Sequence, residues 1–370
     1  MEAKVSDVAI TPMTSAPPGS RPLERSPAKR LRALSFVAIN VLLLLALFIA
    51  MLVSVSIGAI HIPIRAMLAT LARGTPLTET QHTILFSIRL PRILASAVVG
   101  AALSVSGLMF QGLFRNPMAD PYIIGASGGA GIGAAIGIVF LSQYAIFGFS
   151  ATAMLAFLGA VFSMAVVYLL ARNHGRTSGV TLLLAGFAVG QMLSSSTYLL
   201  EVFDPNSTAG TRIIAAWLHG AIGVPAWMQL AIIAILLSAS LIAAYPLMRR
   251  LNTLALGDEY AQQLGIRVET TRVGIILVGS LLTAIAVSLG GLISFAGLIV
   301  PHIARLFLGP DHIRLLPVTA IAGAIFLVLT DTLARTVFAP SEVPVGLLMV
   351  FIGGPFFLYL LRKKKRDYIV

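Results

Sequence analysis

Apolar runs long enough to cross a lipid bilayer recur along this chain of 370 residues, and no other feature constrains its fold as strongly. A transmembrane α-helix needs about 20 mostly apolar residues in a row. Glycines and Pro301 interrupt the eighth run, which should therefore be short or bent. The sequence predicts an all-α polytopic membrane protein with about ten transmembrane helices. The ten spans lie at roughly 34–59, 92–113, 123–141, 149–171, 180–200, 226–247, 272–290, 291–307, 315–338 and 344–361.

The composition excludes several other classes of protein. Hydrophobic residues make up 58% of the chain and charged residues 11%, and the mean hydropathy is +0.94. These values do not fit a soluble globular domain. The chain has no cysteine, so disulfides, thiolate nucleophiles and zinc–thiolate sites are excluded.

The positive charges predict how the chain is oriented, because Lys and Arg accumulate in the cytoplasmic loops of membrane proteins. With the N-terminus inside, 20 of the 26 Lys and Arg residues fall in cytoplasmic segments. The other six lie outside, at positions 65, 73, 89, 92, 212 and 335. Both termini are therefore predicted to be cytoplasmic, and the net charge of +12 requires no nucleic-acid partner. Ten spans in this orientation are also compatible with two inverted-repeat halves, spans 2–5 and 7–10.

Changes in composition divide the chain into three parts. Residues 1–33 are polar, proline-rich and basic, which predicts a disordered cytoplasmic tail. Residues 34–361 form the transmembrane domain, and residues 362–370 form a second basic cytoplasmic tail. The first apolar run is too long for the hydrophobic region of a signal peptide, so it is predicted to be an uncleaved anchor.

A regular line of glycines marks the third span. Gly125, Gly129, Gly133 and Gly137 recur at every fourth position. Small residues in such a line let a neighbouring membrane helix approach closely. We interpret them as a helix-packing surface.

The longest cytoplasmic loop, about 248–271, has an unexpected apolar pattern. Gly257 and Gly265 bracket one or two turns of predicted helix, whose first residues are acidic as the helix dipole favours. Leu256, Tyr260 and Leu264 fall on one side of it. A solvated loop has no use for an apolar stripe, so the stripe should pack either on the chain's own cytoplasmic ends or on a partner protein.

Arginines at the outer membrane face form a second unusual pattern. Arg89 and Arg92 begin the second span against both the positive-inside rule and the helix dipole. Either they bind lipid phosphates or they attract an acidic partner. Within the predicted spans the acidic residues reduce to Asp331, and Arg335 lies one helical turn away as an ion-pair partner.

Several catalytic motifs are missing from the sequence. It has no G-x-x-x-x-G-K-[ST] loop for ATP phosphates, no H-E-x-x-H metal motif and no G-x-S-x-G nucleophile elbow. The chain is predicted not to be an enzyme, and any ATP hydrolysis must take place on a separate subunit. The alternative is a secondary transporter driven by an ion gradient, which would normally need unpaired carboxylates within the membrane. A structural or receptor-like membrane protein is a third hypothesis, but no soluble domain supports it.

Four short segments, in a fixed order along the chain, match the sequence pattern of a known protein family. They are Arg89-Leu90-Pro91-Arg92, Asn116-Pro117-Met118-Ala119-Asp120-Pro121, Gly125-Ala126-Ser127-Gly128-Gly129-Ala130 and Gly297-Leu298-Ile299-Val300-Pro301-His302-Ile303-Ala304-Arg305. From about residue 34 to the C-terminus the chain resembles the permease family of ABC importers for iron-siderophores, haem and cobalamin.

The resemblance implies a homodimer whose two copies line one translocation path in the cytoplasmic membrane of a bacterium or archaeon. Two ATP-binding subunits would dock on the cytoplasmic side. A periplasmic or lipid-anchored substrate-binding protein would deliver an iron-siderophore, haem or cobalamin-type chelate from outside. The chain itself would bind no cofactor and no metal, and ATP would be used by the partner subunit.

The resemblance also implies roles for individual residues. The positions that receive the substrate-binding protein match Arg89, Arg92 and Arg335. The positions that couple to the ATP-binding subunit match Leu256, Gly257, Asp258, Glu259, Tyr260, Ala261, Leu264 and Gly265. The inner gate matches Gly179, Val180 and Thr181.

Overall fold

The computed structural model describes residues 27–58, 78–146, 148–173, 176–202, 207–339 and 341–367. Residues 1–26 and 368–370 of the predicted tails lie outside the described residues, as do Arg65 and Arg73. The chain divides into two units, Met1–Ala38 and Ile39–Val370. Every contact and cavity discussed below lies within the second unit.

Helices account for nearly all of the described chain. They are α1 Pro27–Ser56, α2 Glu79–Thr83, α3 Leu90–Leu113, α4 Ala126–Leu141, α5 Ala151–Ala171, α6 Gly179–Val202, α7 Ser207–Leu218, α8 Trp227–Leu254, α9 Asp258–Gln263, α10 Val268–Gly290, α11 Ala296–Leu308, α12 His312–Thr336 and α13 Val345–Asp367. Two hairpins with strands of two residues interrupt them: β1 Ala145–Ile146 pairs with β2 Phe149–Ser150, and β3 Arg172–Asn173 with β4 Arg176–Thr177.

Each of the ten predicted spans coincides with one of these helices, which confirms the all-α membrane-protein fold. In the part of the chain that the structure describes, seven helical segments are long and apolar enough to cross a membrane, and three apolar segments, in α4, α11 and α13, are shorter. α1 begins at Pro27, inside the segment predicted to be a tail, and α13 continues to Asp367. The number of crossings, the orientation and the inverted repeat stay predictions.

The helix α3 is the centre of the bundle. It packs against α8, α10, α11 and α12, and most of its residues are buried. Small residues make these contacts very close: a Cβ placed on Gly107 would lie 1.8 Å from the Gly297 carbonyl oxygen. The bundle is therefore held by backbone-to-backbone approach, as in other membrane helix pairs.

The predicted packing surface on α4 is confirmed. Cβ atoms on Gly129 and Gly133 would lie 2.2 and 2.1 Å from carbonyl oxygens of α5, and one on Gly137 would lie 2.6 Å from the Thr152 Cα. Gly125 has a different role, because its φ of 80° ends a short 3₁₀ turn, Pro121–Ile124, that precedes α4.

The second span begins earlier than its apolar pattern predicts. Thr78 caps α2 through a capping box with Gln81, a wide π-helical turn follows over Ile84–Arg89, and α3 continues without a break. Pro91 has no N–H to bond the preceding turn, and a locally widened turn accommodates this. The helix therefore extends from Glu79 to Leu113.

Between α10 and α11 the chain is not helical, as the glycines at 290 and 291 predict. Phe295 takes a left-handed conformation there, with φ of 68°. The Ile293 N–H donates to the Tyr122 hydroxyl at 3.1 Å, and the Tyr122 N–H donates to Asp120 Oδ1 at 2.9 Å. Burial raises the pKa of Asp120, and hydrogen bonds from backbone N–H groups oppose that shift. These polar contacts satisfy irregular backbone inside a membrane protein, where water is scarce.

Candidate functional site

An ion-pair cluster, here called the outer cluster, lies where α3 begins and α12 ends. It comprises Arg89, Arg92, Asp331, Arg335 and Glu342. Arg92 Nη2 lies 3.1 Å from Asp331 Oδ1, and Arg92 Nη1 lies 2.6 Å from Glu342 Oε2. Arg335 Nε lies 3.2 Å from Asp331 Oδ2, so the pair predicted from the helical spacing is confirmed.

Two of the three arginines of the outer cluster, Arg89 and Arg335, are buried, and Arg92 is mostly covered. Arg89 is 5% exposed and donates to the Val55 carbonyl at 2.6 Å, and Arg335 is 8% exposed and donates to Ser54 Oγ at 2.9 Å. The structure thus brings the three predicted docking arginines together, but it uses them to join α1, α3 and α12. The Glu342 side chain, at 54% exposed, is the part of the cluster that a partner could reach.

At the other end of α3, the short helix α9 presents the predicted apolar stripe. Leu256, Tyr260 and Leu264 are each about two-thirds exposed, whereas Ala261, one residue after Tyr260, is fully buried. Gly257, with φ of 121°, precedes the helix, and Gly265, with φ of 79°, follows it. The stripe therefore does not pack on the described helix ends at the predicted cytoplasmic face, and a surface of three large apolar side chains is left open.

Asp258, the first residue of α9, is held by an arginine on each side. Arg115 Nη2 lies 2.8 Å from Asp258 Oδ1, and Arg272 Nη2 lies 2.5 Å from Asp258 Oδ2. We call these three residues the inner cluster. Arg115 reaches this position because α3 ends in a Schellman-type turn, in which the Asn116 N–H bonds the Gln111 carbonyl and Arg115 takes a φ of 48°.

The predicted gate residues form the first turn of α6. Gly179, Val180 and Thr181 are all exposed. Gly179 and Val180 line a cavity of about 280 Å³ whose walls also include all three residues of the inner cluster. The structure therefore places the predicted gate next to the helix that carries the apolar stripe.

The residues that join the predicted gate to α9 were not predicted from the sequence. Arg115 and Arg272 hold Asp258, and Thr177 and Glu269 bond to each other between β4 and α10. Glu269 and Arg272 stand at i and i+3 in the first turn of α10, and this charged pair at the start of an apolar span was the available signal.

Two exposed membrane helices differ in polarity. Few residues of either helix are buried among the described residues, and α1 is the more apolar of the two. Near the middle of α6, Gln191, Ser194 and Ser195 are exposed. Polar side chains at that depth are costly against lipid, so this face of α6 requires a protein or aqueous environment.

The model of the FecCD transport family matches residues 44–363. The chain belongs to this family. Among curated relatives, the cobalamin import system permease protein BtuC of Halobacterium salinarum is 43% identical over 81% of this chain and 78% of its own length. The hemin transport system permease protein HmuU of Yersinia pestis is 36% identical over 88% of this chain and 95% of its own length.

A solved structure has the same fold. It is described as an inward-facing conformation of a metal-chelate type ABC transporter, and it aligns with a TM-score of 0.75 and 30% identity over 88% of this chain and 99% of the other. As a FecCD protein, this chain is an integral membrane permease subunit of an ABC importer and belongs to a family of transport proteins rather than enzymes. No group of three His, Cys, Asp or Glu side chains that could hold a metal ion occurs among the described residues.

Proposed function

We propose that this FecCD permease works as a homodimer that carries a metal chelate inward along the interface between its two copies. Two ATP-binding subunits dock on the α9 helices and hydrolyse ATP. A substrate-binding protein, periplasmic or lipid-anchored, delivers the chelate at the outer cluster. The chain itself binds neither ATP nor a metal cofactor.

The exposed stripe on α9 is the observation that carries this proposal. Leu256, Tyr260 and Leu264 leave a contiguous apolar surface at the predicted cytoplasmic face, with Asp258 fixed by two arginines behind it. Large apolar side chains that converge on one face of a helix suit insertion into a groove of another protein. The sequence has no phosphate-binding loop of its own, so the partner that suits this position is the ATP-binding subunit.

The experiment replaces Leu256 and Leu264 with Asp in one variant. Both side chains are exposed outside the membrane spans, so insertion should be unchanged. Co-purification of the ATP-binding subunit should be lost, because burying an unpaired carboxylate at the interface costs several kcal/mol. Gln262→Asp is the matched control, since it adds a carboxylate to the exposed opposite side of α9. Assembly of the double variant at the control's level would show that the ATPase binds elsewhere.

The contrast between α1 and α6 supports the homodimer. Both helices have few buried residues in a single copy, but α1 exposes large apolar side chains along its length, whereas α6 exposes three polar ones near its middle. A second copy packed along α6 would enclose Gln191, Ser194 and Ser195 beside a path for the chelate. These side chains are uncharged, so they suit transient hydrogen bonding to a polar cargo.

Cysteine cross-linking tests this arrangement, and the natural chain has no cysteine to interfere. We expect Met192→Cys, on the exposed face of α6, to give a cross-linked dimer in membranes treated with a bifunctional thiol reagent. Leu45→Cys, similarly exposed on α1, should stay monomeric. The reverse pattern would place the dimer contact on α1.

The cargo we propose is a chelate of the iron-siderophore, haem or cobalamin type, with ferric siderophores first. The relatives named for cobalamin and hemin import support this class. The alternative, transport driven by an ion gradient, is disfavoured because Asp331 is engaged by two arginines. Proteoliposomes with the ATPase and the binding protein should take up one of ferrichrome, haemin or cyanocobalamin, and vanadate should stop uptake. Uptake driven by a proton or sodium gradient without ATP would overturn the proposal.

A further inference from the structure

Arg272 joins α9, on which the ATP-binding subunit is proposed to dock, to the strand before α6, whose first residues are the predicted gate. Its Nη2 pairs with Asp258 Oδ2 of α9 at 2.5 Å, and its Nη1 donates to the Thr177 carbonyl at 3.2 Å. Asp258 begins the helix that carries the docking stripe, and Thr177 lies two residues before α6. One guanidinium therefore contacts both the docking helix and the strand that leads into the gate.

Hydrogen bonds from all three of its polar groups fix Thr177 in place. Its N–H donates to Glu269 Oε2 at 3.2 Å, its hydroxyl donates to Glu269 Oε1, and its carbonyl accepts from Arg272. The residue is only 4% exposed. Since Glu269 and Arg272 both belong to the first turn of α10, the position of α6's first residues depends on that turn.

Arg115 does not make the same connection. It holds the other oxygen of Asp258, but its second hydrogen bond is to the Leu254 carbonyl at the end of α8, at 2.6 Å. Arg115 thus anchors α9 to the central helix, whereas Arg272 links α9 to α6. The peptide backbone offers no shorter route, because α9 leads directly into α10 and not into α6.

We infer that Arg272 is the positioning residue through which movement of α9 reaches the gate at the start of α6. The inference rests on the proposed function and adds the path by which docking at α9 is coupled to the predicted gate. A planar guanidinium can bond two acceptors in fixed directions, whereas a lysine ammonium acts as a point charge on a flexible stem. Lysine at this position would keep the charge but would not hold Asp258 and Thr177 in a fixed relation.

The test uses the complete transporter, with Val180→Cys as a reporter in the naturally cysteine-free chain. Val180 is 68% exposed and lines the cavity beside the inner cluster. The rate at which a thiol reagent labels this cysteine is measured with and without vanadate-trapped nucleotide. ATP hydrolysis and the uptake of ferrichrome, haemin or cyanocobalamin are measured in the same preparations. Arg272→Lys and Arg272→Gln are compared with Arg267→Gln, because Arg267 lies nearby, is exposed and makes no side-chain hydrogen bond or ion pair with the described residues.

With arginine at position 272 and in the Arg267→Gln control, nucleotide should change the labelling rate of the reporter. In Arg272→Lys and Arg272→Gln that change should disappear while the ATPase subunit still co-purifies and hydrolyses ATP. Molecules transported per ATP should then fall about tenfold. A wild-type nucleotide response in Arg272→Lys would overturn the inference.

A purely structural role gives a different pattern, which would also overturn the inference. In that case Arg272→Gln would lower assembly, hydrolysis and uptake in proportion, and Arg272→Lys would restore all three. Failure of the wild-type chain to bind the ATPase subunit would instead overturn the proposed function, and the inference with it.

Discussion

The two ends of α3 carry the same arrangement of charges in different surroundings. In the outer cluster, Asp331 is bound by Arg92 and Arg335, and the three side chains are 1%, 13% and 7% exposed. In the inner cluster, Asp258 is bound by Arg115 and Arg272, with exposures of 38%, 49% and 26%. The 24 residues of α3 separate the two clusters by roughly 36 Å along the helix.

Burial changes what such a cluster can do. Separating buried charges leaves each without water or a partner, so the outer cluster is held in one arrangement. Exposed ion pairs contribute only about 0–1 kcal/mol each, since water replaces a lost partner at little cost. The outer cluster is therefore suited to hold helices together, and the inner cluster to a part of the molecule that moves during transport.

The largest expected effect comes from neutralising the two aspartates. Asp331→Asn removes the carboxylate that pairs with the buried Arg335 and leaves Arg92 with only the exposed Glu342, so we expect it to destabilise the protein by about 3–5 kcal/mol. Asp258→Asn should change stability by no more than about 1 kcal/mol. Thermal unfolding of both detergent-purified variants measures the difference, and each is the other's matched control.

The effect on transport by the folded protein should be larger for Asp258→Asn than for Asp331→Asn. Because the Asp258→Asn protein still folds, the loss of its ion pairs should appear as fewer molecules transported per ATP hydrolysed. If the two variants lost stability equally, the contrast in burial would not govern the energetics of the clusters.

Salt should distinguish the clusters more finely. Raising ionic strength from 0.01 M to 1 M shortens the Debye length from about 30 Å to about 3 Å, which weakens exposed ion pairs far more than buried ones. Amide hydrogen exchange in α9 should therefore become faster, while exchange around Asp331 in α12 stays the same. Equal acceleration in both regions would indicate that salt acts on the whole bundle.

Much of the fold could be predicted from local patterns. Each of the ten apolar runs coincides with a helix, Gly257 and Gly265 marked the ends of α9, and the i, i+4 spacing of Asp331 and Arg335 predicted their ion pair. One local signal was overlooked: Thr78 and Gln81 fit the capping-box pattern and show that the second membrane helix begins at Glu79.

Contacts between distant segments could not be predicted. Arg92 and Asp331 are 239 residues apart, and Arg272 and Thr177 are 95 apart. Their pairing depends on which helices pack together, and several small-residue helices in this chain could pack interchangeably by pattern alone. For the same reason, the sequence predicted that Arg89 and Arg335 lie at the outer membrane face, but it did not predict that their side chains are buried.

That burial changes how docking at the outer face should be tested. Replacing Arg89 and Arg92 with Glu would put one unpaired acid in the buried position of Arg89 and another beside Asp331, so this variant should fail to fold before docking can be measured. Glu342 is the better position, because its side chain is largely exposed and its loss leaves Arg92 paired with Asp331.

The smallest predicted effect is therefore at Glu342. If acidic residues of a binding protein approach the outer cluster, Glu342 competes with them for Arg92. Glu342→Gln removes that competition and raises the net positive charge, so docking should become about two- to fivefold tighter, within the range of one exposed ion pair. The measurement is the affinity of the binding protein for the reconstituted transporter across a salt series. The increase in affinity caused by Glu342→Gln should shrink as the salt concentration rises, because exposed charges are screened. The control variant Glu259→Gln, at the predicted opposite face of the membrane, should not change the affinity. Unchanged or weaker docking by Glu342→Gln at every salt concentration would mean that the outer arginines serve only to hold α1, α3 and α12 together.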